Sequence, residues 1–125
     1  MSERRAKKVI IIEEDPAYRE LLKKILKSLR CDVVGEESGG QKAIYLYERK
    51  KPDIVLLNIR IPLEHGLEVL KDLKKLNPYI VVLIITTVTE EATIKRCFEA
   101  GASGYILKSG TANEIQNRLK KFIYS

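Results

Sequence analysis

The chain has 125 residues, 45% of them hydrophobic and 32% charged, with a formal net charge of +6. That is room for one core, so a single domain is expected over 1–125, and no run approaches the ~20 apolar residues of a membrane span. The lysines are scattered over many segments and aromatics make up only 6% of the chain, so specific nucleic-acid binding is not expected of this domain.

The first element follows a short basic arm, Arg4-Arg5-Ala6-Lys7-Lys8. Val9-Ile10-Ile11-Ile12 is β-branched and short, which predicts a buried strand. Asp15-Pro16 supplies a helix cap and a proline at the first helical position. Leu21, Leu22, Ile25, Leu26 and Leu29 then recur at helical spacing. Val33-Val34 predicts a second strand. Ser38 with Gln41 has the spacing of a capping box, followed by Ala43, Ile44 and Tyr47 on one helical face. Asp53-Ile54-Val55-Leu56-Leu57-Asn58 predicts a third strand, apolar enough to be covered on both sides. The third helix carries Leu67, Leu70, Leu73 and Leu76 and stops at Asn77-Pro78. Residues 80–85 predict the fourth strand. Thr87 with Glu90 suggests a capping box before Ile94, Cys97 and Phe98. Gly101 and Gly104 bracket a turn, and Tyr105-Ile106-Leu107 predicts the fifth strand. Thr111 with Glu114 is a third capping box, opening a helix with Ile115, Leu119, Phe122 and Ile123 inward.

The order is βαβαβαβαβα. Apolar strands alternating with helices predict a doubly wound α/β domain, a five-stranded parallel sheet with helices on both faces. Cys31 and Cys97 are far apart and make neither a metal site nor a disulfide framework. The charged first residues do not resemble a secretory signal, and a cytoplasmic location is expected.

In such a sheet, ligands bind beyond the carboxyl ends of the strands, where strand order reverses. Glu13, Glu14 and Asp15 stand after the first strand, Asn58 at the third, Thr86 and Thr87 at the fourth and Lys108 at the fifth. Hard oxygen groups of this kind suit Mg²⁺. Acids after the first strand, with no glycines, are the reverse of a phosphate-cradling loop and argue against a nucleotide-binding enzyme.

These residues resemble the receiver domains of two-component response regulators over nearly the whole chain. Receivers carry an acidic pair after the first strand, matched by Glu13-Glu14, and often an arginine shortly after, matched by Arg19. Their phosphoacceptor motif is matched by the segment from Asp53 to Pro62, with Gly66 following. Thr86 matches the hydroxyl residue of strand four, and Ala100-Gly101-Ala102-Ser103-Gly104-Tyr105 precedes the matching lysine, Lys108. The resemblance implies the (βα)5 flavodoxin-like receiver fold, a signalling role rather than an enzymatic one, and a switch pair in Thr86 and Tyr105. It implies protein partners: a histidine kinase, a phosphotransfer protein or an output domain. It also implies pairing through the face of helix four, strand five and helix five, which includes Lys95 and Tyr105.

Three departures qualify this. Asn58 stands at the phosphoacceptor position, and a neutral carboxamide has no charged oxygen with which to attack a phosphoryl donor. Glu14 replaces the usual aspartate, so the metal positions Glu13, Glu14, Asn58 and the Arg60 backbone imply at most a weak Mg²⁺ site. Ser109 replaces a frequent proline after Lys108, so a trans bond is expected there. With no charge at Asn58, Lys108 is expected to pair with Glu13 or Glu14. His65, near Asn58, reads as a solvated loop histidine. The chain is thus expected to be a pseudo-receiver acting by protein contact. The alternative is a phosphorylatable receiver blocked by an Asp-to-Asn change, belonging to a DNA-binding transcriptional regulator.

Overall fold

The computed structural model describes residues 5–60 and 63–124; Arg4 of the basic arm and Ile61-Pro62 of the third-strand motif lie outside them. Strands and helices alternate as β1 (Lys8–Ile12), α1 (Pro16–Ser28), β2 (Asp32–Glu37), α2 (Ala43–Lys50), β3 (Ile54–Leu57), α3 (Leu63–Leu76), β4 (Val81–Thr86), α4 (Glu91–Glu99), β5 (Gly104–Leu107) and α5 (Ala112–Ile123). The strands form one sheet in the order β2-β1-β3-β4-β5, and every neighbouring pair is parallel.

The continuous apolar runs follow from this layering. Successive strand side chains point to opposite faces. Val9, Ile11, Ile54, Leu56, Leu83 and Ile85 pack with Leu22, Leu26, Ile115 and Leu119 of α1 and α5. Ile10, Ile12, Val55, Leu57, Val82 and Ile84 pack with Leu46, Leu70, Leu73 and Cys97 of α2, α3 and α4. Both faces are dry, so neither half of the alternation can be polar. Cys97 is buried and Cys31 half-buried, and burial pushes both thiols up from their usual pKa.

The chain leaves β1 toward β2 on one side and returns to β3 on the other. The carboxyl ends of β1 and β3 therefore flank the point where the strand order reverses. Asp15 caps α1, its side chain accepting from the Ala17 amide at 2.9 Å, with Pro16 at the first helical position. Thr111 and Glu114 close a reciprocal capping box on α5.

Several expectations need correction. The box at Ser38 does not form: Gly39, with an extended backbone, precedes a 3₁₀ turn at Gly40–Lys42, and Ser38 sits too early to cap it. The box at Thr87 does not form either, because α4 begins at Glu91 with Glu90 at the cap position. Glu90 instead accepts from the Thr93 hydroxyl at 2.8 Å. Leu76 is 49% exposed while Leu70 and Leu73 are buried. A three-residue repeat drifts around a helix of ~3.6 residues per turn, which carries Leu76 away from the face it shares at the start. Phe98 is 48% exposed, so Cys97 and Thr93 form the buried face of α4. β2 runs on to Glu37, longer than Val33-Val34, because this edge strand tolerates polar residues.

Gly66 in α3 lies directly against the turn after β3. A Cβ there would stand 2.4 Å from the Ile59 carbonyl oxygen. Gly66→Ala is expected to lower unfolding stability by about 1–3 kcal/mol, whereas Gly39→Ala, which meets nothing, should change it by less than ~0.5 kcal/mol. Urea unfolding of the two variants measures the contrast.

Candidate functional site

Glu13 follows β1 directly and is only 1% exposed. Its backbone amide donates to the Glu37 carbonyl at 2.9 Å, which extends the β1–β2 ladder and turns its side chain into the protein. A buried carboxylate is tolerated only when donors surround it. Three do. Lys108 Nζ lies 2.7 Å from Oε1. Asn58 Nδ2 donates to Oε1 at 3.2 Å and to Oε2 at 3.4 Å. The Asp15 amide donates to Oε2 at 3.0 Å. The ion pair expected for Lys108 thus forms with Glu13.

Asn58 is 6% exposed and its amide is used at both ends. Its Oδ1 accepts from the Arg60 backbone amide at 3.0 Å, while Nδ2 faces Glu13. An aspartate in the same place would have no hydrogen to donate. Two carboxylate charges ~4 Å apart repel by about 4 kcal/mol at an effective dielectric constant of ~20. The amide removes that repulsion.

Glu14 lies apart from this network. It is exposed and lines a cleft of about 370 Å³ with Glu37, Gly39, Gly40 and His65. Its backbone carbonyl, like that of Glu13, accepts from Arg19 Nη1, at 3.3 and 2.7 Å respectively. Arg19 also donates through Nε to Glu36 at 2.9 Å. Lys23 foremost, with Arg19, holds the Glu36 carboxyl below its usual pKa. Among the described residues, no three His, Cys, Asp or Glu side chains are placed to hold a metal ion together.

Lys108 is held by more than its ion pair. Its backbone amide donates to the Thr86 carbonyl at 2.9 Å, which continues the β4–β5 ladder. Its ammonium sits 4.1 Å from the centre of the Tyr18 ring. The Lys108–Ser109 peptide is trans. Tyr18 has a buried hydroxyl with no hydrogen-bond partner among the described residues, and burial foremost, then Glu13, pushes its pKa up to about 12. Sequence alone marks neither Tyr18 nor Arg118, whose Nη1 donates to the carbonyls of Leu107 and Ser109 at 2.9 and 2.6 Å.

Thr86 is fully buried, and its Oγ1 accepts from the Val88 amide at 3.4 Å. The Tyr105 hydroxyl donates to the Val88 carbonyl at 2.7 Å. Burial raises the Tyr105 pKa to about 12, and its ring lies 6.5 Å from that of Phe98. Arg60 Nη1 donates to Thr87 Oγ1 at 3.1 Å. The segment between β4 and α4 is therefore bonded to β5 on one side and to the turn after β3 on the other. Lys95 is exposed on α4.

A family model described as the response regulator receiver domain matches residues 9–120. The chain belongs to that family. It is 28% identical to the chemotaxis protein CheY of Thermotoga maritima over 115 residues, 92% of this chain and 96% of that one. It is 37% identical to the transcriptional regulatory protein LnrK of Bacillus subtilis over 109 residues, 86% of this chain but 50% of that one. Among solved structures, the signal receiver domain of the putative response regulator NarL from Mycobacterium tuberculosis superposes with a TM-score of 0.84 at 27% identity, covering 98% of this chain and 99% of that one. The receiver therefore spans nearly all of one curated relative and about half of another. Receivers are signalling modules of two-component systems that meet kinases and output domains, and some relatives are transcriptional regulators. No helix among the described residues is long and apolar enough to cross a membrane.

Removing one partner from a buried pair leaves an uncompensated charge. Lys108→Ala is expected to cost about 3–5 kcal/mol of stability. The double variant Glu13→Gln/Lys108→Met should recover most of that loss, because neither charge remains. Urea unfolding of both variants against the unaltered chain measures it.

Proposed function

We propose that residues 1–125 form a receiver domain that is not phosphorylated at the usual position and signals by protein–protein contact in a two-component or phosphorelay system. One observation carries the reading: the Asn58 amide donates to the buried Glu13 carboxylate. Asn58 offers no charged oxygen to a phosphoryl donor, so the position is chemically silent.

The same geometry argues against Mg²⁺ in this chain. Both oxygens of Glu13 already accept from Lys108, Asn58 or Asp15. Glu14 is exposed and lines a cleft with Glu37, Gly39, Gly40 and His65. The Glu13 and Lys108 charges cancel, so no divalent charge is called for. The residues do not fit the metal, and the domain works without it as a non-enzymatic, cytoplasmic module. Glu13, Asn58 and Lys108 are structural members of the pocket. Thr86 and Tyr105 link the pocket to the surface of α4, β5 and α5, which is the face offered to a kinase, a phosphotransfer protein, an output domain or a second copy.

The alternative is an active receiver blocked by an Asp-to-Asn change. Retention of Thr86, Tyr105 and Lys108 at their motif positions favours it, as does similarity to a transcriptional regulator of which the match covers 50%. One experiment separates the two. The chain and its Asn58→Asp variant are incubated with acetyl phosphate and Mg²⁺ and weighed intact. The unaltered chain is expected to gain nothing; a phosphoryl group on it would overturn the proposal. Under the pseudo-receiver reading, Asn58→Asp also gains little. Ready labelling of Asn58→Asp would mean that only the acceptor is missing and favours the blocked receiver.

A further inference from the structure

We infer that Tyr18 and Arg118 are positioning residues that hold Lys108 on Glu13, forming an internal lock on the β5–α5 loop. The inference rests on the reading of the pocket as closed and metal-free, and it adds what keeps the pocket closed.

A lysine at a loop is ordinarily a mobile cation on a long stem. Here three constraints converge on it. The first acts on its backbone. Arg118 Nη1 carries two hydrogens, and they go to the carbonyls on either side of Lys108, those of Leu107 and Ser109, at 2.9 and 2.6 Å. The Leu107–Lys108 and Ser109–Gly110 peptide planes are thereby oriented from α5. Without that clamp, the exposed Ser109 and the left-handed Gly110 (φ 99°) would leave the loop little to define it. The second constraint acts on the ammonium, which lies 4.1 Å from the centre of the Tyr18 ring, where the ring's negative face attracts a cation. The third is the Glu13 carboxylate at 2.7 Å.

Each support is itself anchored. Arg118 lies 4.0 Å from Glu114, one turn earlier on α5, and Glu114 is tied into the capping box with Thr111. Tyr18 stands in the first turn of α1, just beyond Asp15, whose amide also donates to Glu13. The start of α1 and the middle of α5 thus close on the lysine and its backbone. The Tyr18 hydroxyl has no part in this: it is buried without a hydrogen-bond partner among the described residues, so the ring face does the holding.

Residue-by-residue acetylation of the full chain with an amine reagent, read by peptide mass spectrometry, tests the lock. In the unaltered chain Lys108 is expected to react about tenfold or more slowly than the exposed Lys24 and Lys95. Arg118→Ala and Tyr18→Leu should each speed labelling of Lys108 by about fivefold, with Lys24 and Lys95 unchanged. Tyr18→Phe keeps the ring and should leave Lys108 as protected as before, and Arg118→Lys should restore part of the protection. Three results overturn the inference: Lys108 reacting like Lys95 in the unaltered chain, Lys108 unchanged in both Arg118→Ala and Tyr18→Leu, or a rise shared equally by all lysines. The readout uses neither phosphodonor nor metal. Its failure leaves the silence of Asn58 standing, and phosphoryl transfer to the unaltered chain would refute that silence without bearing on the lysine.

Discussion

A carboxylate taken out of water must be met by donors, and the arrangement of this domain's polar edge follows from how Glu13 meets that requirement. Its donors come from three places: the amide at the start of α1, the side chain at the end of β3 and the ammonium at the end of β5. One buried charge therefore ties together three elements far apart in the chain. The parallel sheet makes this possible, because all its strands end on the same edge. The order β2-β1-β3-β4-β5 puts β1 beside β3, so Glu13 and Asn58 are neighbours although 45 residues separate them.

The electrostatics of the pocket differ in kind from those of two facing acids. A pair of carboxylates needs a cation between them, whereas a carboxylate facing an amide is already satisfied. With Lys108 beside them the charges sum to zero. The fourth member, Glu14, is exposed, and its backbone carbonyl accepts from Arg19. The pocket thus keeps its shape by internal bonds.

The segment between β4 and α4 connects that pocket to the surface. Val88 is held at its amide by Thr86 and at its carbonyl by Tyr105, and Thr87 is held by Arg60 from the turn after β3. Tyr105 in turn sits near the half-exposed Phe98. A proposed docking face on α4, β5 and α5 is thus joined by hydrogen bonds to the residues around Asn58. A protein partner that prefers one arrangement of this segment would be read through the same contacts.

Much of this was legible in the residues themselves. Buried strands are uniformly apolar because both their faces are dry, so the alternation of Val9-Ile10-Ile11-Ile12 and its successors with helical spacing defined a doubly wound sheet. The Asp15-Pro16 and Thr111–Glu114 caps were visible because capping depends on residues a few positions apart. The motif spacing also located Glu13, Asn58, Thr86 and Lys108 at strand ends. Contacts between distant segments were decided only by tertiary structure. Sequence left open whether Lys108 would choose Glu13 or Glu14, and packing chose the buried one. It suggested caps at Ser38 and Thr87 that the surrounding loops displaced. It placed no signal on Tyr18 or Arg118, an aromatic and a cation on helices where such residues are ordinary. Their roles arise because α1 and α5 pack on the same face of the sheet, and long-range packing of that kind leaves no mark in local residue spacing.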